Sequence, residues 1–152
     1  MPTRPVDIGK TQPASYNALM ELHHASHKAA LDAGLDARLV ELVKIRASQI
    51  NGCAFCLRMH SADAIKLGES AERLAVLAAW RETDYFTDTE RAALELAECV
   101  TTIATAHLSE DTRVRVSQAL TDEQIAAVHW LGIVINAFNR VAISSHIPVR
   151  PS

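Results

Sequence analysis

The residues best suited to chemistry in this chain are Cys53, Cys56, His60 and Glu41. Cys53 and Cys56 are three residues apart, so a helix puts them on one face. Neighbours on such a face have Cβ atoms about 5–6 Å apart, near enough for a small adjustment to join two sulfurs. Gly52 breaks the preceding helical pattern and leaves Cys53 at a helix N-terminus. There the unpaired N–H groups and the helix dipole favour thiolate over thiol. His60 follows Cys56 by four residues and Cys53 by seven, adding an imidazole to the same stripe. A histidine one turn from a thiol can take its proton, directly or through water.

Glu41 sits among Leu39, Val40, Leu42, Val43 and Ile45, and forms an i, i+3, i+7 line with Lys44 and Ser48. On spacing alone that line reads as a solvated stripe carrying a Glu–Lys pair. Glu41 reaches His60 only if the helices on either side of Asn51-Gly52 fold back as a hairpin. Glu41 lies about two to three turns before that break and His60 about two turns after it, so an antiparallel pair sets them at similar height.

Other uses of the thiols stay open on spacing. Two small buried residues satisfy the pattern. A metal site needs a fourth ligand beyond two Cys and one His, and Cys99 or one of His23, His24 and His27 would have to supply it. Those residues have plainer roles. Cys99 lies among Leu94, Leu96, Ala97 and Val100 as a core residue, and the three histidines share a helix face expected in solvent. His129 and Trp130 are expected in the core or at an interface, and Trp80 at an interface. Asn136, Asn139 and Arg140 cluster on an apolar helix and require partners, at a helix end or in another subunit.

The elements that must position these residues are helices. The 152 residues are 49% hydrophobic and 22% charged, with only 5 Gly and 5 Pro, which suits one globular, helix-rich domain. Helical patterns cover 13–33, 36–51, 53–67, 70–80, 87–104, a short one opened by Ser109, and 121–147, with Gly34, Gly52 and Gly68 as stops. Thr87 with Glu90, and Thr121 with Gln124, are capping-box pairs. No strand-like alternation competes, so the fold is read as all-α, a single-domain bundle of about seven helices. The net charge of -3 gives no basic surface for nucleic acid. Three cysteines, too few for a disulfide scaffold and odd in number, indicate a reducing compartment, the cytoplasm. Residues 1–10 lack the apolar run of a signal peptide. Residues 125–143 are apolar but carry His129, Asn136, Asn139 and Arg140, which argues for a core or interface helix and against a membrane span.

The Glu41…Cys53-x-x-Cys56-x-x-x-His60 pattern resembles the alkylhydroperoxidase D-like proteins of the carboxymuconolactone decarboxylase superfamily. The match is most specific over 39–68, and weaker similarity extends to Trp80-Arg81-Glu82 and to 135–140. The resemblance implies an all-α domain over 1–152, a homo-oligomer (trimer or hexamer), and a thiol-dependent peroxidase. It implies Cys56 as the peroxide-reactive thiol, Cys53 as the resolving thiol, and His60 with Glu41 as a water-assisted proton relay. The reductant it implies is a lipoyl-type dithiol or a thioredoxin-like protein, with no cofactor and no metal. One departure stands inside the CxxC: well-known members carry a second histidine where this chain has Phe55. Two other readings remain, a decarboxylase or lyase of the same superfamily, and a non-enzymatic redox-sensing module.

Overall fold

Polar caps decide where most of the helices begin. Asp7, Asp36, Ser70, Thr87, Ser109 and Thr121 each accept a backbone N–H from the first turn that follows. The computed structural model describes residues 3–152; Met1 and Pro2, which open the stretch read against a signal peptide, lie outside the described residues. Among the described residues the order is α1 (Ile8–Thr11), α2 (Pro13–Asp32), α3 (Ala37–Asn51), α4 (Ala54–Lys66), α5 (Ala71–Val76), a 3-10 segment (Leu77–Glu82), α6 (Asp88–Thr101), α7 (Glu110–Ala119) and α8 (Asp122–Ser144), with no strand. The expected capping boxes at Thr87/Glu90 and Thr121/Gln124 both form.

The all-α bundle of about seven helices expected from the sequence is what forms, with differences of detail at the element ends. Asp7 caps an additional turn, α1, ahead of Pro13. The pattern over 70–80 divides into α5 and the 3-10 segment, which runs on to Glu82 and is itself kinked at Ala79 (φ -117°, ψ 33°). The helix expected to reach 104 stops at Thr101, where Thr101 and Thr102 turn their hydroxyls back onto the carbonyls of Ala97 and Glu98.

α3 is the central element. It is buried on nearly all sides, through Leu39, Val40, Leu42, Val43, Ile45 and Ala47, and it packs against α4, α6 and α8. α6 and α8 also lie against each other, and a Cβ at Gly132 of α8 would approach the side chain of Val100 to 3.2 Å. The hydrogen in place of a side chain lets the two helices meet closely there. α2 leans mainly on α8 and only lightly on α3. Between those helices it leaves an opening.

Several polar residues find their partners inside this bundle. Asn139 is fully buried, donates to Ser48 Oγ at 3.0 Å and accepts from Asn51 Nδ2 at 2.9 Å; Asn136 accepts a second bond from Asn51. The two asparagines of α8 therefore clamp the end of α3, which is the helix-end role among the two expected for them. Trp80 is buried, at 3% exposure, and not at an interface: its indole N–H donates to Glu98. Trp130, expected in the core or at an interface, is 49% exposed on the outer face of α8. The core is thus excluded for it. α8 is also the one helix among the described residues that is long and apolar enough to cross a membrane, and its Asn136 and Asn139 are satisfied within the bundle.

Candidate active site

The α3–α4 corner builds the site. Gly52 adopts φ 70°, a left-handed conformation that other residues rarely take, and turns the chain back on itself. Cys53 is then the N-cap of α4, with its Sγ accepting the N–H of Cys56 at 3.4 Å. The two Cα atoms are 5.4 Å apart and the sulfurs are paired as a disulfide. The shared-face geometry read from the CxxC spacing is present in full.

The hairpin also brings Glu41 to His60. A Glu41 carboxylate oxygen lies 2.7 Å from His60 Nδ1, and both side chains are buried. The expected solvated stripe is therefore corrected: Glu41, Lys44 and Ser48 are all buried. The Glu–Lys pair does form, at 2.9 Å, but α2 covers it, since Lys44 Nζ also lies 3.4 Å from His27 Nδ1. Burial by itself would raise the Glu41 carboxyl; the hydrogen bond from His60 and the charge of Lys44 overcome it and hold the group at about 2. Glu41 is thus an ionised carboxylate, and only a protonated Nδ1 of His60 can donate to it. Nε2 is left as the nitrogen free for other work.

The site opens into one cavity of about 490 Å³ between α2 on one side and α3, α4 and α8 on the other. Glu41, Lys44, His60 and Cys56 line it, and Cys53 does not. Met20, Met59, Leu131, Val134 and Phe138 give it apolar wall. Phe55, the departure inside the CxxC, fills part of this wall and packs with Cys53, Cys56, Ile135 and Ala142.

Sequence reasoning missed the contribution of α2. His23 and His27, expected in solvent, are half-buried and line the cavity; His24 is exposed at its rim. Burial, then the charge of Lys44, push the His23 imidazole down to about 4 and lower that of His27, so both are neutral near pH 7. Their i, i+4 spacing is a sequence signal for one face, but nothing in the spacing says that α3 lies opposite. Asp63 was missed as well. It places an oxygen within 4.8 Å of ligand atoms of Glu41 and His60. The Lys44 ammonium ion already holds the Glu41 charge there, and that set carries no cysteine. The fourth-ligand scheme does not form around the thiols among the described residues. Cys99 is a half-buried free thiol on α6, raised above the ordinary thiol range by burial and by Glu95 and Glu98.

An all-α bundle that presents a CxxC at a helix start, above a buried Glu–His pair, defines a class of dithiol protein. The model of the carboxymuconolactone decarboxylase family matches residues 13–98. The chain belongs to that family and is alkylhydroperoxidase D-like. It is 42% identical over 104 residues to the uncharacterized protein YdfG of Bacillus subtilis (strain 168), covering 68% of this chain and 71% of that one. It is 38% identical over 64 residues to the uncharacterized protein YnjA of Escherichia coli (strain K12), covering 42% of this chain and 35% of the other. A crystal structure of a protein of unknown function from Agrobacterium tumefaciens, suggested there to be the antioxidant defence protein AhpD, superposes with a TM-score of 0.87. The two are 30% identical, and the match covers 99% of this chain and 100% of the other.

Proposed function

We propose that the protein is a dithiol peroxidase that reduces organic or hydrogen peroxide. The observation that carries this reading is the 2.7 Å contact between the Glu41 carboxylate and Nδ1 of a buried His60, on a cavity that Cys56 lines and Cys53 does not. Glu41 keeps the proton of His60 on Nδ1. Nε2, one helical turn beyond Cys56, takes the thiol proton directly or through water. The Cys56 thiolate attacks one peroxide oxygen; the O–O bond breaks, the other oxygen leaves as alcohol or water after protonation by His60, and Cys56 becomes a sulfenic acid. The Cys53 thiol attacks that sulfur, releasing water and giving the Cys53–Cys56 disulfide seen in the structure. An external dithiol, of the lipoyl type or on a thioredoxin-like protein, restores both thiols by exchange and leaves as its own disulfide.

In this reading the whole chain, 1–152, is one domain of a cytoplasmic homo-oligomer, trimer or hexamer, that needs no cofactor, metal, membrane or nucleic acid. The exposed Trp130 and Ile133 on α8 support a subunit contact. The test is timed oxidation of the reduced protein by an organic hydroperoxide and by hydrogen peroxide, read by intact mass and peptide mapping. Rapid loss of two hydrogens mapping to Cys53–Cys56, slowed in His60→Ala, is expected. Reaction no faster than that of an ordinary free thiol overturns the reading; lyase turnover that survives alkylation of both thiols would then favour a decarboxylase.

A further inference from the structure

We propose that Lys44 is a positioning residue of this site: its ammonium ion holds Glu41 as a carboxylate so that His60 keeps its proton on Nδ1 and offers a bare Nε2 toward Cys56. The inference rests on the dithiol-peroxidase reading for its purpose, but its geometry stands alone. Lys44 and Glu41 have side-chain exposures of 5% and 6%. Burying an ammonium ion and a carboxylate together gains little stability over an apolar pair of the same volume, and α3 is otherwise apolar at this level. What the pair does supply is a fixed charge state. Lys44 takes one oxygen of Glu41 at 2.9 Å and His60 faces the other at 2.7 Å. Each oxygen therefore has its own donor.

Removing the ammonium changes the proton's address. A carboxyl group this deeply buried, facing a single neutral donor, favours its protonated form. Protonated Glu41 donates its O–H to Nδ1 of His60, and the imidazole then carries its own proton on Nε2. Nε2 no longer accepts a proton from Cys56. The groups around the pair are arranged so that no other cation takes over. From α2 face Tyr16, His23, His24 and His27; from α4, His60 and Asp63; the lining residues of α8 are apolar. His27 meets Lys44 through Nδ1 at 3.4 Å, which a neutral imidazole does as acceptor. Lys44 is thus the one permanent positive charge among the residues that line the cavity.

The test follows the Glu41 carboxyl carbon by NMR between pH 4 and pH 8 in reduced wild-type protein, Lys44→Met and Lys44→Arg. Wild type is expected to show no Glu41 titration step in that window. Lys44→Met, of similar length and without charge, is expected to show one, and Lys44→Arg to lose it again. In parallel, the acid limb of the pH profile for Cys56 alkylation by iodoacetamide rises by one pH unit or more in Lys44→Met, tenfold or more in proton affinity, and returns in Lys44→Arg. A Lys44→Met protein without the Glu41 step overturns the proposal. Should that variant not fold, Lys44→Gln gives the same two readings. Neither readout requires peroxide turnover, so a failed peroxidase assay and a failed role for Lys44 give different results.

Discussion

α3 sends charged residues in two directions, and the two destinations behave differently. Glu41 and Lys44 face the cavity; Arg46, two residues on and roughly half a turn round the helix, faces α6. There its guanidinium meets Glu98 at 2.8 Å, and Glu98 also accepts from the Trp80 indole at 2.9 Å and from Arg81. Burial would raise the Glu98 carboxyl, but its bonds from Arg81, Arg46 and Trp80 hold it below the ordinary range. Each region therefore contains a carboxylate kept ionised inside the protein. Around Glu98 every partner has a fixed protonation state: two arginines and an indole, with Arg81 and Arg91 lying over the Trp80 ring at 4.1 and 5.1 Å. Around Glu41 sits an imidazole that can exchange a proton, beside a cavity and a thiol. An ionised carboxylate ties helices together in one place, half-buried, and is poised for proton transfer in the other, fully buried. The partners decide which.

The largest expected effect breaks the comparison at the thiols. Cys56→Ser removes the nucleophile and should lower the peroxide reaction by at least roughly 10³-fold, measured by peroxide consumption under single-turnover conditions. Cys53→Ser should still react once and stop with one oxygen added at Cys56, because the resolving thiol is gone. Equal loss in both variants would contradict the division of labour that the cavity lining suggests.

The second effect breaks the other region. Glu98→Gln keeps the shape but leaves Arg46 and Arg81 without a counter-charge. A stability loss of about 2–3 kcal/mol is expected. For a chain of this size that corresponds to a fall in Tm of roughly 5–10 °C by thermal unfolding. The rate of Cys56 oxidation at 25 °C should change by less than about threefold, since Glu98 does not line the cavity. A matched loss of rate would mean that the two regions are coupled through α3.

The sequence exposed these regions unequally, for a physical reason. Helix starts were legible because caps are local: Asp36, Ser70, Thr87 and Thr121 act on N–H groups two or three residues away. Cys53, Cys56 and His60 were legible because one helix carries them. The spacing of Glu41 permits a meeting across the hairpin, and only the packing of α3 on α4 brings it to His60. Lys44 and Arg46 look alike in sequence, and nothing local says which of them is sealed under α2 and which bridges to α6. Trp80, in the 3-10 turn after α5, is buried with its indole N–H on Glu98, 18 residues away. Side chains that serve another element leave no trace in their own element's spacing.

The smallest effect sharpens the comparison through pH. The Glu41 carboxyl is lowered from 4.5 to about 2 in the folded protein. A lowered folded value means that the unfolded chain binds the proton more tightly. The contribution of Glu41 to stability is therefore fully present above about pH 4.5 and is lost as pH falls toward 2. Glu98 shifts in the same direction, so both regions weaken in acid. Glu41→Gln cannot titrate at that position, and its urea midpoint should fall less steeply than wild type between pH 4.5 and pH 2.5. The difference in slope should amount to on the order of 1–2 kcal/mol over that range, and the two curves should run parallel above pH 5. Parallel curves across the whole range would mean that Glu41 is not held as a carboxylate at all. The proton relay would then lose its anchor, while the Glu98 cluster, whose partners do not titrate in this range, would be unaffected.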